Sequence, residues 1–157
     1  MLHFQEETFA QVRDDVQALA QAHWDEVEAA LHGDQAYRLD KERYAALERL
    51  GMLAVITARH EDGPLAGYAA FTVLPCPHRA GITLAALDGL YLAPDARRGL
   101  AALNLLRRAE QCLARRGVGL IQYSSPASRP CDALYRRLGA RHTENVWHKS
   151  LTHEEER

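Results

Sequence analysis

The chain has 157 residues, 47 % apolar and 25 % charged, with a formal net charge of −2. That balance fits a soluble globular protein of one domain, residues 1–157, with enough length to bury a core. It gives no global argument for a nucleic-acid partner, and no apolar run approaches the roughly 20 residues of a membrane span.

Residues 2–6 can form a short first strand. From Thr8 to Leu31 the apolar positions Phe9, Val12, Val16, Leu19, His23, Val27 and Ala30 recur at helical spacing, and Gly33 ends the run. Asp40 can cap a second helix, "KERYAALERLG", which stops at Gly51. The period then changes. "MLAVITARH" and "LAGYAAFTVL" are strand-like runs joined by "EDGP", a hairpin signal, and "PCPHRAG" turns the chain into "ITLAALDGLYL". Three strands should therefore follow one another as an antiparallel meander.

After Pro94 the helical period returns. Ala102, Leu105, Leu106, Ala109 and Leu113 make one face, and Gly117 closes the helix. "VGLIQYSS" reads as a buried strand, parallel to the third meander strand because a helix separates them. Ser128 can cap a short helix, "RPCDALYRRL", and a final strand is expected from about Arg141 to Leu151. The predicted order is β-α-α-β-β-β-α-β-α-β, an α/β protein with a mixed, mostly antiparallel central sheet and helices on both faces.

The N-terminus "MLHFQEETFAQ" lacks the basic flank and apolar stretch of a signal peptide. Cys76, Cys112 and Cys131 are odd in number and far apart, and read as reduced thiols of a cytoplasmic protein. The eight histidines show no HxH or HExxH spacing, so no metal is expected.

The joint between the third meander strand and the long helix is the most informative stretch. A helix N-terminus exposes unpaired N–H groups and the positive end of the helix dipole, a ready site for phosphate. Here that turn carries Gly99, Ala101 and Ala102, whose small side chains leave the backbone open, beside the cations Arg97 and Arg98. There is no GKS or GKT of a P-loop and no GxGxxG of a dinucleotide fold.

Arg97-Arg98-Gly99-Leu100-Ala101-Ala102, in this context, resembles the pyrophosphate loop of the GNAT family of acetyl-CoA-dependent N-acetyltransferases. That loop reads arginine or glutamine, two residues, glycine, one residue, then glycine or alanine. Leu100 stands where the family has its middle glycine, with Gly99 one place early. "CDALYRRLGA" is similar to the family's alanine-x-x-leucine-tyrosine-x-x-x-glycine-phenylalanine segment, with Cys131 and Ala140 at its ends. The compact size resembles short stand-alone members of bacteria and their phages.

The resemblance implies acetyl-CoA as acetyl donor, held by residues 97–102, with Ser128 near the pantetheine arm and no metal. It implies that backbone N–H groups of Leu90, Tyr91 and Leu92 face the acetyl carbonyl, and that Tyr135 protonates the departing thiolate. A thiolate leaving group needs such a proton, and a phenol can supply it. Asp88 is the candidate base. It interrupts the period-2 face of Ile82, Leu84, Ala86, Leu90 and Leu92, where burial would raise its pKa. A structural aspartate bonded to its neighbours is the competing reading. His23 and Trp24 fall where the family builds its acceptor wall, and Asp25, Glu26 and Glu28 either attract a cationic amine or are simply solvated. The implied acceptor is an amine of a small molecule, peptide or protein. The alternative is a non-catalytic GNAT-like regulatory module that binds acyl-CoA. No nucleic acid or membrane partner is expected, and the last strand could pair across a homodimer.

Overall fold

The computed structural model describes residues 1–33, 36–61 and 63–151. Five strands form one sheet in the order β1-β2-β3-β4-β5. They are β1 (Leu2–Glu7), β2 (Leu53–His60), β3 (Leu65–Pro75), β4 (Thr83–Leu92) and β5 (Leu120–Gln122). The first four pair antiparallel and β4 pairs parallel with β5, because a helix returns the chain to the sheet between them. The mixed α/β architecture with helices on both faces is the one the sequence predicts.

That returning helix is α5 (Ala101–Arg115), which buries Leu105, Leu106, Ala109, Cys112 and Leu113 against Ile56, Ala69, Phe71 and Ala85 of the sheet. The short helix α6 (Asp132–Arg137) packs on the same side through Tyr135. The opposite face is covered by α1 (Phe9–Val12), α2 (Val16–His23) and α4 (Lys41–Arg49), around Phe9, Val12, Leu53, Tyr68 and Tyr91. Asp40 caps α4 as expected, its carboxylate accepting from the Arg43 N–H at 3.0 Å.

The single N-terminal helix expected from Thr8 to Leu31 is divided. Thr8 caps α1 in a reciprocal box with Gln11, residues 13–15 turn, and α2 starts anew at Val16. At its end the chain widens into a π-helical segment, Trp24–Glu28, before α3 (Ala29–His32) resumes the tighter pitch. Such wide turns insert one extra residue and re-aim the side chains around them.

Two further expectations change. Residues 141–151 form no strand; they run over the surface with Val146, Trp147 and Leu151 exposed. Among the described residues nothing pairs with the outer edge of β5. That strand is therefore short and half-exposed rather than buried. Ser128 does not cap the last helix. Cys131 occupies the N-cap position, its N–H donating to the Ser125 hydroxyl at 2.8 Å, and α6 begins at Asp132.

Candidate active site

β4 is bulged. Ala70 of β3 is opposite Gly89 and Phe71 is opposite Leu87, so Asp88 has no partner. The extra residue flips the alternation that a regular strand would keep. Leu87 and Leu90 both pack towards α5, and Tyr91 packs towards α2. The regular face assumed for Ile82 to Leu92 is therefore broken at its middle, which corrects the placement of Asp88. Its side chain is exposed, not buried, and accepts a hydrogen bond from the Tyr44 hydroxyl of α4. Burial and the Asp88 charge push the Tyr44 phenol well up, so it stays a donor.

Past the bulge, β4 and β5 part. Their pairing runs only from Leu84/Leu120 to Ala86/Gln122. Beyond it the Ser124 hydroxyl reaches the Leu87 carbonyl at 3.4 Å. The second half of β4 keeps its partner β3 on one edge and faces an opening on the other. Ala93 donates its N–H to Ala66 of β3, whereas the Leu92 carbonyl accepts from the Arg97 Nε on the opposite edge. Peptide groups alternate along a strand, so those of Leu90 and Leu92 turn to the opening and that of Tyr91 turns to β3. Of the three residues expected there, Tyr91 contributes a buried ring instead.

At the carboxyl end of β4 lies the start of α5. A 3₁₀ turn, Pro94–Ala96, leads to Gly99 at φ +56°, where a Cβ would meet nothing within 4 Å. Leu100 is the N-cap, and no side chain caps the helix. The displaced glycine thus supplies the left-handed turn while Leu100, Ala101 and Ala102 still form the first turn. Arg98 is exposed and its guanidinium makes no ion pair among the described residues.

Arg97 is different: its guanidinium is engaged by the protein itself. It makes a two-pronged pair with Glu26 of the π-helical segment, both nitrogens at 2.7 Å, and its carbon lies 5.1 Å from the centre of the Tyr91 ring. Glu26 also accepts from the Tyr91 hydroxyl at 3.0 Å and from Arg129, in the connection after β5. The hydrogen bonds from Arg97 and Tyr91, with the charge of Arg129, hold the Glu26 carboxyl down at about 2. Glu26 therefore belongs to arginines, not to a substrate amine. Ser128 sits beside this cluster, and its hydroxyl donates to the Val27 carbonyl at 2.7 Å.

Tyr135 is buried against Tyr123, with ring centres 4.8 Å apart, and its hydroxyl donates to the Ser124 carbonyl at 2.7 Å. Burial raises its pKa, so the phenol holds its proton.

On the other side of β4, buried His23 bonds the Tyr68 hydroxyl through Nδ1 at 2.8 Å and stacks on Tyr91 at 5.3 Å. Burial lowers its pKa, against the opposing pull of Glu28, Glu26 and Asp88. Trp24 stacks on Tyr37 at 5.1 Å, and His32 stacks on His148 at 5.3 Å. Tyr37 and Tyr44 escape the sequence reading because nothing in their spacing links them to Asp88; only the bulge brings that carboxylate to α4.

The family model described as the acetyltransferase (GNAT) family matches residues 16–140. No curated protein matches the chain in sequence. Several solved structures share the fold. A ribosomal-protein-alanine N-acetyltransferase from Brucella melitensis biovar Abortus 2308 aligns with TM-score 0.73 and 16 % identity, over 96 % of this chain and 100 % of that one. The aminoglycoside acetyltransferase meta-AAC0020 from an uncultured soil metagenomic sample, in complex with trehalose, aligns with TM-score 0.72 and 18 % identity, over 98 % and 97 %. A predicted acetyltransferase with acetyl-CoA from Clostridium acetobutylicum gives 0.71 and 15 %, over 96 % and 97 %. With the parted strands and the basic helix start in place, the match settles the class: the chain belongs to the acetyltransferase (GNAT) family of N-acetyltransferases.

Proposed function

We propose that the protein transfers the acetyl group of acetyl-CoA to a primary amine of a small molecule, peptide or protein, by direct attack. The observation that carries this reading is the opening between β4 and β5, lined by the Leu90 and Leu92 peptide groups and leading to the uncapped start of α5. Acetyl-CoA supplies the activated acetyl group. The open backbone at Gly99 and the unpaired Arg98 fit a diphosphate, since amides at a helix start and a guanidinium both bind phosphate oxygens strongly.

The remaining roles fall to residues around the opening. The N–H groups of Leu90 and Leu92 would receive the charge that develops on the carbonyl oxygen, as fixed amides do without reorganising. Asp88, exposed at the bulge beside Tyr44, would take the proton of the incoming ammonium. Tyr135 would donate a proton or hydrogen bond at the leaving sulfur, on the lip where its hydroxyl now bonds Ser124. Ser128 helps shape that lip through Val27 rather than offering a free hydroxyl.

Among the described residues no helix is long and apolar enough to cross a membrane, no group of histidine, cysteine and carboxylate side chains could hold a metal, and the cysteines are unpaired. The reading is of a metal-independent enzyme of the cytoplasm, with residues 1–157 acting as one domain. The test is direct. Acetyl-CoA should raise the melting temperature, by about 2.7 kcal/mol of stability at 100 times the dissociation constant. Thiol release should follow with members of a broad amine panel. Binding without turnover on any amine would favour a regulatory acyl-CoA module, and no shift at millimolar acetyl-CoA would overturn both.

A further inference from the structure

Glu26 holds two arginines that stand on opposite lips of the β4–β5 opening. Arg97 follows the end of β4, and Arg129 belongs to the connection leaving β5. The carboxylate is the least exposed member, 22 % against 30 % for Arg97 and 56 % for Arg129. One anion from the π-helical segment thus ties both lips together, beside the Ser128–Val27 bond that fastens the second lip to the same segment. The count of donors is telling. Arg97 gives its Nε to Leu92 and two prongs to Glu26, so the guanidinium has one remaining N–H on each terminal nitrogen. One of the two arginines that precede the helix start is therefore engaged by the protein's own carboxylate.

We propose that Glu26 is a positioning residue that competes with the diphosphate of a coenzyme A ligand for Arg97, clasping the two lips until that ligand enters. This rests on the coenzyme A reading of the opening. When the diphosphate arrives at the start of α5, Arg97 passes from a carboxylate to phosphate oxygens that its planar fork can also hold by two prongs. Glu26 keeps Arg129 and Tyr91, so no charge is left unpaired by the exchange.

The experiment compares acetyl-CoA with S-acetylpantetheine, which has the thioester arm and no phosphate, by calorimetry on the whole chain. Glu26→Gln should bind acetyl-CoA about tenfold more tightly, the order of one charge-assisted hydrogen bond, and bind S-acetylpantetheine unchanged. In the double variant Glu26→Gln/Arg97→Gln the gain should vanish. A gain that persists without Arg97 would be a general charge effect and would overturn the hand-over. Weaker binding by Glu26→Gln would overturn it too, showing that the carboxylate orients Arg97 for phosphate. Should Glu26→Gln not fold, Tyr91→Phe removes one hydrogen bond holding the carboxylate and should shift acetyl-CoA affinity in the same direction. If the wild-type chain binds no acetyl-CoA, the coenzyme A reading itself falls, an outcome distinct from any ranking of variants.

Discussion

Tyr135 and Ser124 are joined by a hydrogen bond of 2.7 Å that places a phenol at the lip of the opening with its proton already directed along the backbone of that lip. Tyr135→Phe keeps the ring, its stacking on Tyr123 and nearly all its volume. If the hydroxyl serves the departing thiolate, kcat should fall about 10²- to 10⁴-fold with little change in KM or in acetyl-CoA affinity. Thiol release by wild type and variant, side by side, measures it. Activity within about threefold of wild type, far short of the general-acid range, would make Tyr135 a packing residue.

The two neighbouring arginines should behave differently. Arg98→Ala removes an exposed cation with no internal partner, so acetyl-CoA affinity should drop about ten- to a hundredfold while the denaturation midpoint stays put. Arg97→Ala strips a two-pronged pair from Glu26 and a donor from the Leu92 carbonyl, so it should lower stability as well. Denaturant titration separates the two; an Arg97 variant as stable as wild type would contradict the described network.

Gly67 is a packing requirement. A Cβ there would lie 2.6 Å from the Tyr91 carbonyl oxygen of β4 and 2.5 Å from a Leu92 methyl. The backbone atom cannot swing away, so Gly67→Ala should cost about 1–3 kcal/mol, as overpacking does. At Gly89 the added methyl would stand 3.3 Å from the Tyr68 ring, a milder approach, and Gly89→Ala should cost less. The ranking is read from urea midpoints, and a Gly67 variant that matches wild type would refute it.

His23 gives a pH dependence of defined sign. Burial holds its folded pKa below 6.5, against Glu28, Glu26 and Asp88, with the Tyr68 and Tyr91 phenols around it. The unfolded chain therefore binds the proton first, and stability present above about pH 6.5 should decline as pH falls below it. Wild type should lose more stability between pH 7.5 and 5.5 than His23→Gln, which cannot titrate. Equal losses would mean the imidazole is not penalised when charged. Glu26 contributes later and in the same direction, since its carboxyl is protonated in the unfolded chain near pH 4.5 but only near 2 in the folded one.

Local patterns carried most of the architecture. Leu105, Leu106, Ala109 and Leu113 recur at helical spacing because they meet one sheet face, and all four are fully buried. Asp40 announces α4 because a carboxylate before a helical run satisfies an orphan N–H. The basic helix start after a strand was legible for the same kind of reason. Asp88 was misplaced because the period-2 face was carried straight through position 88; Gly89 beside it could mark a bulge or a close ligand approach, and only the register shift against Ala70 and Phe71 shows the bulge. The role of Glu26 was missed because carboxylates at 25, 26 and 28 on the N-terminal helix read either as a lure for a cationic amine or as solvated charges. Its partners lie 71 and 103 residues away, beyond any local window. The last segment, from about Arg141 to Leu151, is expected as a strand, yet no strand forms without a neighbour to accept it.

The wide turn at Trp24–Glu28 sets a rule about length rather than identity. A π turn holds about one residue more than an α turn, so losing one residue here would let the segment close to ordinary pitch, leaving the chain after it in place but re-aiming the side chains inside the turn. Asp25 is exposed, and among the described residues its carboxylate accepts only from the Gln21 side chain, so its replacement should be mild. Its deletion should not be. Glu26 would lose the wide turn that aims it at Arg97 and Arg129, although every side chain that touches it is still encoded. This stretch should therefore tolerate substitutions far better than a change of a single residue in its length.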